Sequence, residues 1–206
     1  MIVITQQDGV RTVTLNRPDK ANALTRDMLE ALDEAAIGAK QDGLRALVLT
    51  GEGPVFSAGA DLDEARAGLA VSDVWERLSG RIAGLPCLTL AALNGTCAGG
   101  ALGMMLACDL RIAVPKASFF YPVMKLGFLP QPSDPRRMAA LIGPARAKMI
   151  LMAGQKIGAD EALAWGLIDR IVAPEALADT VTALTEAVRA APEGHAARIK
   201  ALVPYA

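Results

Sequence analysis

The chain has 206 residues, 52% of them hydrophobic and 21% charged, enough apolar material for one substantial core and the wrong balance for a disordered chain. A net charge of -1 and a pI near 5.9 argue against nucleic-acid binding, which needs clustered Lys and Arg, so an anionic ligand must meet a local cationic patch. Cys87, Cys97 and Cys108 lie in apolar surroundings without a CxxC pair, and His195 is the sole histidine, so no metal site is expected and reduced, buried thiols in a cytoplasmic protein are.

The N-terminus, MIVITQQDGV, has no basic segment followed by a long apolar one, so no secretory signal is expected. Ile2 to Thr5 and Val10 to Leu15 read as strands joined by an Asp8-Gly9 turn. Thr25 is placed to cap a helix whose apolar face is Met28, Leu29, Leu32, Ala35 and Ala36, with Gly43 as its stop. Leu44 to Thr50 then reads as a buried strand, Leu88 to Leu93 as another, Ala101 to Ala107 as a helix, and Asp109 to Val114 as extended.

The uncharged run Ile82 to Cys108 is long enough for a bilayer, about 20 residues being required, but Pro86, Asn94-Gly95 and Gly99, Gly100 and Gly103 divide it into strand, turn and helix. No membrane span is expected. Further helices are predicted over Pro144 to Ala153, Asp160 to Trp165 before Gly166, and Glu175 to Ala190 after Pro174. The alternation of strand and helix predicts an α/β fold, with no linker marking a second independent domain.

Two turns place small residues at a strand end before a helix: Phe56 to Leu62 and Asn94 to Ala101. Amides at such turns point outward, and small side chains let a ligand approach the backbone; two amides converging on one oxygen would make an oxyanion hole. Glycines there can equally serve only tight turns and close packing. Neither turn carries a dinucleotide fingerprint or a phosphate-binding Gly-Lys-Ser/Thr.

Asn16 to Leu24, Phe56 to Leu62, Asn94 to Ala101 with Cys108-Asp109, and Ala162 with Gly166-Leu167-Ile168 together resemble the enoyl-CoA hydratase/isomerase (crotonase) family, in order and at its spacing. The resemblance implies a spiral of ββα units over residues 1–173, with residues 174–206 as a C-terminal helix and tail that is short for the family. It also implies a homotrimer or hexamer acting on an acyl-CoA, with coenzyme A entering as part of the substrate and no permanently bound cofactor. By carry-over, the backbone amides of Ala60 and Gly100 would hold the thioester oxygen, and Ala21, Ala23, Ala58, Ala60, Asp61, Leu62 and Asp63 would line the CoA path. Asp63 stands where family members often have lysine, leaving Lys20, Arg17 or a neighbouring subunit to meet the phosphates.

The sequence departs from the family at its acids. Hydratases carry one glutamate three residues after the oxyanion glycine and another directly after a proline of the next segment; this chain has Gly103 and Val123 there, and Gln131 where several isomerases and a dehalogenase carry an acid. Neither glycine, valine nor an amide serves as a base. The remaining candidates are Asp134, Tyr121, Asp61 and Cys97. Asp134 leads because its loop, Pro130 to Pro135, folds over the acyl end in the family, although a cap or a solvated ion pair with Arg136-Arg137 would also explain it. A serine triad with His195 has no motif behind it.

Two classes of function follow. One is an enzyme with an enolate intermediate: an isomerase, decarboxylase, hydrolase or atypical hydratase, decarboxylation having the attraction that loss of carbon dioxide makes the enolate without a base. The other is a non-catalytic acyl-CoA-binding or scaffold protein.

Overall fold

The computed structural model describes residues 1–203. β1 (Ile2–Gln7) and β2 (Val10–Leu15) form the predicted hairpin, Ile2 opposite Leu15 and Gln7 opposite Val10. Asp8 and Gly9 both take positive φ, as a two-residue turn with the twist of a hairpin requires. α1 (Arg26–Gln41) begins where Thr25 Oγ1 accepts the Met28 N–H at 3.2 Å, and it buries Met28, Leu29, Leu32, Ala35, Ala36 and Ala39 at helical spacing.

From there the chain repeats one move. β3 (Ala46–Gly51) is followed by β4 (Val55–Ser57), α2 (Leu62–Arg66) and α3 (Val74–Ala83). β5 (Leu88–Leu93) is followed by β6 (Thr96–Ala98) and α4 (Ala101–Ala107). β7 (Leu110–Ala113) is followed by β8 (Ser118–Phe120), α5 (Val123–Leu126) and α6 (Asp134–Leu151). β9 (Ile157–Gly158), α7 (Ala159–Trp165) and β10 (Arg170–Ile171) complete the pattern.

The first strand of each unit joins one sheet, ordered β1-β2-β3-β5-β7-β10, and the second joins another, ordered β4-β6-β8-β9. β3, β5 and β7 pair in parallel, as do β4, β6 and β8. The chain is therefore a spiral of ββα units, each turn advancing both sheets by one strand. The uncharged stretch is spent inside it: all seven residues of α4 are buried, and β5 is buried beyond its first residue. Among the described residues no helix is long and apolar enough to cross a membrane.

Two predicted boundaries need correction. The helix expected over Pro144 to Ala153 is the second half of α6, which starts at Asp134 and turns sharply at Gly143, whose φ of 80° interrupts the helical path. The proline that reads as a helix start is thus the restart after a kink. After β10 the chain forms two helices rather than one helix and a tail: α8 (Leu177–Ala190) packs against β3 and β5, and α9 (His195–Leu202) against β5. Lys200 Nζ fastens α9 by reaching Asp109 Oδ2 at 2.8 Å and the Cys87 carbonyl at 3.1 Å. The end of the predicted C-terminal region, 204–206, lies outside the described residues.

Candidate functional site

The two glycine turns meet where neighbouring strands β4 and β6 end. Gly59, at φ 94°, packs so closely on the second turn that a β-carbon there would lie 2.9 Å from the Ala98 carbonyl oxygen and 3.3 Å from Gly99 Cα. Gly99, also at positive φ, donates its N–H to Phe120 O of the third unit at 3.0 Å. Leu24 clamps the first turn by donating to Gly59 O at 2.7 Å and accepting from the Asp61 N–H at 2.9 Å. Those bonds bypass Ala60. Among the described residues the N–H groups of Ala60 and Gly100 have no acceptor, and both residues line one cavity of about 160 Å³.

The segment from Arg17 to Leu24 packs beside the first turn. Ala21 and Asn22 both take positive φ, and the Ala21 carbonyl accepts the Ala58 N–H at 3.0 Å. Buried Asn22 holds the turn: its Oδ1 accepts from Arg17 N–H at 2.8 Å, and its Nδ2 donates to Glu52 O at 2.9 Å and Val55 O at 2.7 Å. Ala21 is thereby held beside Ala58, which lines the cavity together with Ala60, whereas Ala21 and Ala23 are not among its lining residues.

Arg17 Nη1 donates to Ala23 O at 3.0 Å and to Asp61 Oδ2 at 2.8 Å. The other Asp61 oxygen caps α2 by accepting the Asp63 and Glu64 N–H groups. The Arg17 hydrogen bond, aided by those amides, holds the Asp61 carboxyl below its ordinary range. Asp63 is exposed and paired with Arg66 at 3.1 Å, and Leu62 is exposed at the rim. Of the two nearby cations foreseen for the CoA phosphates, Arg17 is thus committed to Asp61, and Lys20 is the exposed one.

Asp134 does not behave as the loop aspartate or solvated ion pair that its neighbours suggest. It is the first residue of α6 and fully buried, with Tyr121 Oη donating to its Oδ2 at 2.9 Å. Oδ1 has no partner among the described residues. Burial pushes its pKa up to about 7, against the pull of the Tyr121 hydroxyl and Arg137. Its carboxyl sits against Gly103: a β-carbon on that glycine would stand 2.9 Å from Oδ1. Tyr121, Val123 and Gln131 line the cavity. Tyr121 is buried, its ionisation pushed further up by burial and by Asp134.

Other candidates are not brought together. His195 opens α9 on the surface, Ser57 Oγ is taken by Asn22 O and the Gly59 N–H, and Ser133 is bonded to Glu76. Cys97 is buried, and burial drives its thiol pKa up. Among the described residues no group of three or more His, Cys, Asp or Glu is arranged to hold a metal ion.

Trp75 is a residue that sequence reasoning missed. Its indole lies against Gly100, and its Nε1 donates to Leu69 O at 2.8 Å. The direction in which Gly100 lacks a side chain therefore faces Trp75, correcting the expectation that glycine there chiefly makes room for a ligand. The tryptophan's helical spacing with Leu78 and Ile82 in α3 was the available signal.

The sequence model described as Enoyl-CoA hydratase/isomerase matches residues 5–204. The chain is 37% identical over 205 residues to the probable enoyl-CoA hydratase echA6 of Mycobacterium leprae, covering 97% of this chain and 82% of that protein. It is 35% identical over 202 residues to 4-chlorobenzoyl coenzyme A dehalogenase-2 of an Arthrobacter species, covering 93% and 73%. The crystal structure of an enoyl-CoA hydratase from Bacillus anthracis superposes with a TM-score of 0.90 at 30% identity, covering 98% of this chain and 81% of that one.

Proposed function

Since the chain belongs to the enoyl-CoA hydratase/isomerase family, we propose that its cavity binds an acyl-CoA thioester and that the amides of Ala60 and Gly100 stabilise the enolate formed from it. The observation that carries this is that Ala60 and Gly100, whose N–H groups have no acceptor among the described residues, line one cavity together with Ala58. Such donors stabilise charge that develops on the thioester oxygen more than they stabilise the neutral carbonyl, and each is worth about 2.7–4 kcal/mol in the transition state. The pantetheine arm runs past Ala21, Ala23 and Ala58 toward Leu62 and Asp63, with Lys20 the exposed cation nearest that path in sequence.

Gly103 and Val123 leave no carboxylate at the two hydratase positions, so the reaction is an isomerisation, decarboxylation, thioester hydrolysis or atypical hydration rather than ordinary hydration. The same two residues favour the second reading, a protein that binds acyl-CoA without turning it over.

Self-association as a trimer or hexamer belongs to the proposal. It is supported by an apolar groove of about 350 Å³ between α5 and α6, beside which Met124, Leu129 and Met152 stand exposed. A cytoplasmic location agrees with three buried cysteines.

The test uses butanoyl-CoA labelled with ¹³C at the thioester carbonyl. Calorimetry should give micromolar binding, and difference infrared spectroscopy should show the carbonyl stretch displaced to lower frequency in the complex. Binding with an unshifted carbonyl would remove the oxyanion hole, and no binding at millimolar ligand would remove the acyl-CoA site. A panel of CoA thioesters followed by mass spectrometry separates turnover from binding alone.

A further inference from the structure

The carboxyl group of Asp134 is sealed in the interior with one oxygen bonded to Tyr121 and the other bonded to nothing among the described residues. An orphaned carboxyl oxygen in a dry interior costs stability unless it takes up a proton or serves a function. Its place is informative. It fills the space that a side chain on residue 103 would enter, 2.9 Å from Oδ1 and 3.1 Å from Oδ2 at the β-carbon alone. A carboxyl from the start of α6 thus stands beside the α4 position that has none.

Asp134 is itself screened from the cavity, but Tyr121 is the cavity-lining side chain bonded to its carboxylate. The charged and titratable groups around it are Arg137 on the same helix, Glu76 on α3, Tyr121 beyond β8 and Cys97 on β6. Arg137 and Tyr121 favour the ionised form, while burial and Glu76 oppose it. The positive end of α6 also favours the carboxylate.

We propose that Asp134 and Tyr121 form a proton relay serving the cavity, in which Tyr121 meets the α-carbon of the acyl group and Asp134, a positioning residue, stores the proton behind it. This rests on the acyl-CoA reading above. In the enolising direction the α-C–H bond breaks and its proton joins the Tyr121 oxygen, while the Tyr121 O–H proton passes to Asp134. The electron pair left on the α-carbon is delocalised onto the thioester oxygen. The reverse steps reprotonate an enolate made in any other way, including by loss of carbon dioxide. No oxidant or reductant is needed.

The relay is tested on butanoyl-CoA in D₂O, reading deuterium incorporation at the α-carbon by mass spectrometry and binding by calorimetry. Wild-type protein should exchange the α-protons, with a rate that rises through a midpoint near pH 7 as Asp134 ionises. Asp134→Asn and Tyr121→Phe should each bind butanoyl-CoA with little change, lose roughly 100-fold in exchange rate, and lose that midpoint. If Asp134→Asn fails to fold, Tyr121→Phe, which removes only a hydroxyl, carries the test.

Wild-type exchange in either folded variant overturns the relay. So does wild-type protein that binds butanoyl-CoA without exchanging its α-protons. Absence of binding overturns instead the acyl-CoA reading on which the relay rests.

Discussion

The indole of Trp75 covers the face of Gly100 that lacks a side chain, so a β-carbon there would fall 2.9 Å from Cε3 and 3.0 Å from Cζ3. Gly100 lines the cavity while its Cα is roofed by an aromatic ring. Gly100→Ala must push the indole and strain its 2.8 Å hydrogen bond to Leu69 O. The expected cost is about 1–3 kcal/mol, the usual range for overpacking. Thermal denaturation reads the cost, and a changed fluorescence from Trp75, in a Trp165→Phe background, reads the displacement. Unchanged stability and spectrum would show that the ring moves freely.

Asp134 also sets a pH dependence of stability. Its folded-state pKa is raised to about 7 from an ordinary 3.8, so between those values the folded protein holds a proton that the unfolded chain does not. Stability must therefore be greatest below about pH 4, from this group alone, and fall as pH rises toward 7, levelling above it. The amplitude is on the order of a few kcal/mol. Denaturant titrations of wild type and Asp134→Asn across pH 5 to 8 should differ in slope, the asparagine protein being flatter.

Conversion into a hydratase requires more than two glutamates. Gly103→Glu alone drives its β-carbon into the Asp134 carboxyl, adding a second acid to a buried one. Gly103→Glu with Val123→Glu is expected to be poorly folded or inactive, whereas adding Asp134→Gly should yield crotonyl-CoA hydration about 10²-fold or more above wild type. Stopped assays on both variants decide it. Equal rates would mean that Asp134 does not compete for the space.

Asn22 holds three backbone groups from a positive-φ position, which an alanine can neither bond nor comfortably adopt. Asn22→Ala should cost about 1–3 kcal/mol, because the fully buried carboxamide and its three hydrogen bonds are lost while the Val55 carbonyl keeps its bond from Asn94 Nδ2 at 3.1 Å. It should also weaken acyl-CoA binding, since the turn carries Ala21 and Ala23. Chemical denaturation and calorimetry read the two effects.

Much of this was legible from residue order. The hairpin, α1 with its Thr25 cap, β5 and α4 follow from period and punctuation, because each buries one stripe or an entire uncharged run. The short strands β4, β6 and β8 were hidden, being three residues each and defined by pairing with distant neighbours rather than by pattern. At the site, the small residues of both turns advertised free amides. The surroundings of Asp134 did not show: Tyr121 and Gly103 are 13 and 31 residues away along the chain, and only the packing of α6 on α4 and the turn after β8 brings them to its carboxyl. Flanking prolines and arginines instead pointed to the surface.

Ala60 and Gly100 lie just past the ends of β4 and β6, neighbouring strands of one parallel sheet. Parallel strands stand about 4.8 Å apart, and an amide reaches an oxygen at about 2.9 Å. An oxygen seated between two donors at that spacing would be approached at an angle of roughly 110°. That is the angle between lone pairs on an alkoxide-like oxygen. The gauge of the proposed hole is then tied to the spacing of the sheet that carries both turns, more than to any one side chain. Variation in chemistry is left to the neighbouring helices, where residue 123 lines the cavity and residues 103 and 134 meet one another outside its lining.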